Sequence, residues 1–394
     1  MPRSWSALLA AGAAGLSVIS MVMTFFIPAH VLRTEFGTPF PPQNWPGWFR
    51  RALYFLAREP TFLPGDSRWE ADLTKGIGFL AITAASLYLI SISVAFVTQG
   101  AALLSGWIAV GFAAVASEVV TDLVRLVLYE DRVSSRQGGA FVLFVAWSYC
   151  SVTMVGFWGW RIRHFVKELA HMEVPADPAR RTGVTFDETW ARQERGLRAA
   201  GIADPTVRRM LWVGSFTATA VFVVAGQWRL SVPRNWVGHD DDPIDRAAAT
   251  PEPRLDPDWF PLPVMRLSPF PDETWTIWAY ENSEALMFLP VFVALCRVVL
   301  RTVRRSGHLA AIFVMVCGAS VVASTVAGAL HALLVAAVPP APEGGVVLAN
   351  PSPSYRLFEE TGDAGQAGLV IGCLVAGAMM VTYRNGPPRE TAVE

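Results

Sequence analysis

Residues 304–334, RRSGHLAAIFVMVCGASVVASTVAGALHALL, hold the arrangement in this chain that most invites a catalytic reading: Ser306-Gly307-His308, then Ser324 and His331 seven residues apart. One histidine could act as a nucleophile, a second could protonate a leaving group, and a serine could orient either of them. Distance decides against it. From Leu309 onward the stretch is apolar and long enough to be one membrane-spanning helix. At a rise of 1.5 Å per residue, His308 and His331 are then about 35 Å apart, the full depth of a bilayer. They cannot share a substrate.

The pattern is similar in part to membrane lipid-phosphate phosphatases, which carry Pro-Ser-Gly-His and, well downstream, Ser-Arg, a second His and an Asp four residues beyond it. Here Arg305 stands in place of the Pro, Thr325 in place of the phosphate-binding Arg, and Val335 in place of the Asp. Only fifteen residues separate His308 from Ser324, too few to bring two helices to one membrane face. No phosphatase role carries over.

The other groups able to do chemistry gather at the ends of apolar runs. ASEVVTDLVR carries Glu118, Asp122 and Arg125; YENSEAL carries Glu281 and Glu284; FEETGDAGQ carries Glu359, Glu360 and Asp363. If these ends converge with His331, then Glu118, Asp122, Glu284, Glu360, Asp363 and His331 surround an acidic outer vestibule suited to a cation or a cationic substrate. The competing reading is structural. Acids complement the dipole at helix N-termini, Ser283 and Thr361 have the chemistry of N-caps, Asp122 and Arg125 can pair, and His331 is a hydrogen-bonded packing histidine. HDDD at 239–242 offers metal-ligating types, but consecutive residues cannot all turn toward one ion, so an acidic turn is expected and no metal site. No phosphate loop, nucleophile elbow or haem-type His pair is present, and the sequence names no cofactor.

The elements that must position these residues are membrane helices. Hydrophobic residues make up 53% of the chain and charged ones 16%, which places it among all-α polytopic membrane proteins. Eight apolar runs of spanning length are predicted, at about 5–27, 76–97, 101–118, 140–160, 210–227, 284–300, 309–336 and 367–383. The net charge of −1 says nothing about nucleic acid, but no basic cluster stands outside what topology explains, so no nucleic-acid partner is expected. The run 5–27 is expected to remain as an anchor. Cys150, Cys296, Cys317 and Cys373 all fall inside apolar runs, so they are expected to pack and not to form disulfides.

Arginines concentrate in 161–209, a basic cytoplasmic hairpin, and at Arg301, Arg304 and Arg305. With eight alternating spans both termini join them in the cytoplasm of a plasma (inner) membrane protein, although Arg125, Arg132 and Arg136 then fall outside. The extracytoplasmic loop 228–283 is rich in Pro, Trp and Asp, and WPGWFRRALYFLARE near residue 50 has the two faces of a short interfacial helix. Small residues recur at every fourth position: Ser320, Ser324 and Gly328 in one run, and Ala364, Gly368, Gly372 and Ala376 in the next. Such stripes let two helices approach closely.

Three functional classes fit. The first is a non-enzymatic membrane subunit or accessory protein of an envelope assembly, recognised through rigid outer loops in which Trp259, Trp275 and Trp278 are the partner-binding anchors. The second is a transporter or channel using the acidic vestibule. The third is a membrane enzyme acting on a lipid-linked substrate. The lipid bilayer is a partner in all three.

Overall fold

The computed structural model describes residues 69–93, 99–129, 202, 204–231, 265–268, 275–303, 309–337 and 353–384. The runs 5–27 and 140–160, the helix near residue 50, most of the 161–209 hairpin, HDDD, Cys150 and Trp259 lie outside them, as do the side chains of Asp122, Glu360 and Asp363.

Every described element is a helix: α1 (Trp69–Ser93), α2 (Gln99–Tyr129), α3 (Asp204–Ser231), α4 (Trp275–Glu281), α5 (Ser283–Thr302), α6 (Leu309–Ala337) and α7 (Pro353–Arg384). Five contain stretches long and apolar enough to cross a membrane: Leu104–Thr121, Pro205–Gln227, Ser283–Thr302, Leu309–Leu334 and Ala364–Arg384. The apolar part of α1, Gly76–Ile90, is shorter. The chain is an all-α polytopic membrane protein. Its hydroxyl side chains are tolerated in the spans because many bond back to their own helix: Thr121 to the Ser117 carbonyl at 2.7 Å, Thr325 to Val321 at 2.8 Å, Thr217 to Val213 at 2.8 Å.

α6 is the central helix. It packs against α2, α5 and most extensively α7, and is buried along most of its length. The small-residue stripes form the α6–α7 seam. A Cβ added at Gly368 would stand 2.8 Å from the Ser320 carbonyl oxygen and 2.8 Å from the Val321 Cα; one at Gly372 would stand 2.8 Å from the Cys317 Cα. The backbones are as close as glycine permits. Cys296 and Cys317 are buried packing residues, while Cys373 is exposed.

α3 shows what a peripheral helix looks like. Met210, Ala218 and Phe222 are buried on one face, and Trp212, Phe216 and Val224 are exposed on the other. The buried face fits α7 through Gly214, where a Cβ would overlap the Met379 side chain, and fits α5 through the edge-on Phe222–Phe288 pair at 5.2 Å.

The direction of α2 differs from the alternation of eight spans. A Cβ at Gly318 would overlap the Ile108 carbonyl, and Phe112 meets Phe313 edge-on at 6.4 Å. Moving forward along α2 from Ile108 to Phe112 therefore means moving back along α6 from Gly318 to Phe313. The two helices are antiparallel. α5 is antiparallel to α6, since Ser283 meets His331, and α3 is antiparallel to α5, since the Ile202 N–H donates to the Val303 carbonyl at 3.0 Å. Hence the end of α2 and the start of α3 lie at one end of the bundle, which corrects the strict alternation. The correction also removes a charge conflict, because Arg125 now joins Arg208, Arg209, Arg297, Arg301 and Arg384 at a single basic end. A topology reporter fused after Arg132 should therefore match one fused after Arg305 and oppose one fused after Pro342. Agreement between Arg132 and Pro342 would break the antiparallel α2–α6 pairing.

Candidate interface at the acidic end of the bundle

The junction of α4 and α5 is built on Asn282. This residue is the N-cap of α5, yet its side chain makes no capping bond. The amide is used sideways instead. Oδ1 accepts from the Arg266 backbone N–H at 2.6 Å, and Nδ2 donates to the Trp278 carbonyl at 2.6 Å. Trp278 completes the ring by donating its indole Nε1–H to the Arg266 carbonyl at 2.8 Å. Both backbone groups of Arg266 are thus met by side chains of the α4–α5 unit, as a neighbouring strand would meet them.

The same segment is held from its other side. The Met265 N–H donates to the Phe222 carbonyl of α3 at 3.1 Å. Gly226 makes this possible, because a Cβ there would stand 2.6 Å from the Met265 carbonyl oxygen. Residues 265–268 of the Pro/Trp-rich loop are thereby clamped between α3 and the α4–α5 junction, with Arg266 and Asn282 buried. Beside the clamp, Trp275 lies edge-on to Trp278 at 5.5 Å and remains 65% exposed, and Leu267 is 67% exposed. The clamp is rigid, and what it projects is apolar.

One residue along, Ser283 Oγ and His331 Nδ1 are 2.7 Å apart and tie α5 to α6, with the Tyr280 ring 5.8 Å from the imidazole. His331 is a hydrogen-bonded, half-buried residue of the helix interface. Ser283 is not the cap of its helix but its first residue, and Thr361 lies well inside α7, which begins at Pro353. Both differ from the capping expectation because the helices start earlier than their apolar runs do.

The six candidate vestibule residues do not all lie at one end. Glu284 follows Ser283 directly, so it shares the level of His331. The antiparallel α6–α7 register set by Ser324 against Gly368 brings the backbone of Glu360 and Asp363 to the same end. Glu118 and Asp122 fall elsewhere. Continuing the Ile108–Gly318 register puts Glu118 level with the start of α6, about 35 Å along the bundle from His331. Of the three candidate anchors, Trp275 and Trp278 meet at the clamp.

Asn282, Arg266, Met265 and Gly226 escape a reading of the sequence. Asn282 had a usable signal, since Asn is among the best N-cap residues and ENSE places it directly before the helix. The others had none, because a glycine–loop contact across forty residues leaves no local pattern. The chain matches no family model, no curated protein and no solved structure.

Proposed function

We propose that the protein is a non-enzymatic membrane subunit or accessory protein of an envelope membrane assembly, docking its partner on the clamped segment at the acidic end. That end is extracytoplasmic, and the arginine-bearing end faces the cytoplasm of a plasma membrane protein. One observation carries the reading: Trp275, the first residue of α4, is 65% exposed against Trp278, whose indole is hydrogen-bonded to a segment fixed on two sides. An aromatic side chain presented on fixed backbone loses little entropy on binding, which is the property of an interface anchor. The closely packed α6–α7 seam supports a scaffold role in the same sense.

A Trp275→Ala/Leu267→Ala double variant tests this without removing any hydrogen bond of the clamp. A stoichiometric partner retained by the native protein in mild detergent should be lost, with affinity falling about 30-fold or more for an anchor worth about 2 kcal/mol or more. Partner retention unchanged in the double variant would end this reading.

A cation pathway is the second reading, favoured by the shared level of Glu284, Glu360, Asp363 and His331. Its signature is loss of cation flux in reconstituted vesicles when Glu284 and Glu360 become Gln with Trp275 intact.

A further inference from the structure

At the basic end, α3 and α5 are antiparallel neighbours whose ends the Ile202–Val303 hydrogen bond fixes at one level. Going back along α3 from Phe222 to Arg208 covers nearly the same rise as going forward along α5 from its partner Phe288 to Arg301. Arg208 and Arg209 of α3 therefore stand level with Arg301 of α5, Arg297 lies about one turn deeper, and all four side chains are exposed. Arg297 lies inside the apolar span Ser283–Thr302, so it occupies a surface otherwise turned to lipid. An arginine so placed must extend toward the headgroup region to keep its charge solvated. One turn deeper on α3, on the face of Arg208, Trp212 is 73% exposed, in the position of an interfacial indole.

Three arginines at one membrane level and a fourth that extends toward them from about one turn deeper, on two adjoining helices and beside an exposed indole, are more than orientation requires. The guanidinium groups of Arg208, Arg209 and Arg297 each offer a planar fork of donors that matches two oxygens of a phosphodiester, and Arg301 adds its charge. We propose that this surface binds the headgroup of an anionic phospholipid in the leaflet at the basic end, with the acyl chains lying along the apolar outer face of α3. A choline-bearing lipid has the same phosphodiester, but its cationic head meets four positive charges. The site therefore selects on net headgroup charge.

The test uses the full chain in mixed micelles containing phosphatidylglycerol and phosphatidylcholine, with bound lipid counted by native mass spectrometry. The native protein should retain phosphatidylglycerol over phosphatidylcholine. Arg208→Gln with Arg297→Gln should lower that preference by roughly 25-fold, about five-fold per arginine, and the corresponding Lys variants should keep most of it. Unfolding in phosphatidylcholine alone should be the same for all forms, since these side chains are exposed. Equal retention of the two lipids by the native protein overturns the proposal. So does an unchanged preference in the double Gln variant. Displacement of phosphatidylglycerol by millimolar inorganic phosphate also overturns it, because that result would mark a site for a soluble anion.

Discussion

Replacing Gly368 by leucine should abolish accumulation of the folded protein. A Cβ at this position meets the Ser320 carbonyl oxygen at 2.8 Å, the Val321 Cα at 2.8 Å and the Ser324 Cβ at 2.9 Å. Two of these three neighbours are backbone, which has no rotamer to escape into, so α6 and α7 must move apart. That seam is the most extensive helix pairing among the described residues. With no hydrophobic drive between helices in lipid, close packing is the principal attraction that separation would forfeit. Overpacking in a well-packed core costs about 1–3 kcal/mol and sometimes more; here the lost seam adds to it, and about 4 kcal/mol is expected from the two together. Gly377 on the same helix is the control, because nothing lies within 4 Å of a Cβ there. Gly377→Leu should change stability by less than about 0.5 kcal/mol. Ser324→Ala should be neutral or slightly stabilising, since the buried Ser324 hydroxyl has no hydrogen-bond partner. Yield of monodisperse protein on size exclusion in mild detergent reads all three. Equal yields from the Gly368 and Gly377 leucine variants would mean that the seam does not hold the fold.

Asn282→Ala should open the loop clamp while leaving the chain inserted. The substitution leaves the buried Arg266 N–H without its acceptor at 2.6 Å and removes the Nδ2 bond to Trp278. Leaving a buried donor unsatisfied costs about 1–3 kcal/mol, enough to raise the open population of residues 265–268 by one to two orders of magnitude. The change should appear as faster hydrogen exchange at Met265 and Arg266 and faster proteolysis near Leu267. Asn282→Asp separates the two functions of the side chain. A carboxylate still accepts from Arg266 but cannot donate to Trp278, so it should fall between Asn and Ala. Exchange at Met265 that is the same in the native and alanine forms would show that Phe222 and Gly226 hold the segment alone. In that case Leu267 would owe its placement to α3 and not to the α4–α5 junction.

Much of this architecture is local chemistry and can be read one segment at a time. Hydropathy over a window of about 20 residues reports whether a helix can cross a bilayer, and six of the predicted runs coincide with described helices. The every-fourth-residue recurrence of Ser320 and Ser324, and of Gly368 and Gly372, marked the seam, because a helical period puts such residues on one face and small residues permit contact wherever two such faces meet. The helix starts were less legible, since α7 extends fourteen residues ahead of its apolar run and α1 begins before its own. Polar residues continue a helix beyond the membrane without any hydropathy signal.

Relative direction and long-range contact belonged to the tertiary structure. Strict alternation of eight spans placed the end of α2 outside against its own arginines, and the fit of Gly318 to Ile108 and of Phe112 to Phe313 turned it over. With it went Glu118 and Asp122, away from Glu284 and His331. The pairing of Ser283 with His331 and the capture of Arg266 by Asn282 and Trp278 are likewise fits between surfaces distant in sequence. A residue's own chemistry states what it can bond, but which partner it meets depends on where two separately formed helices come to rest, and no window of sequence contains both.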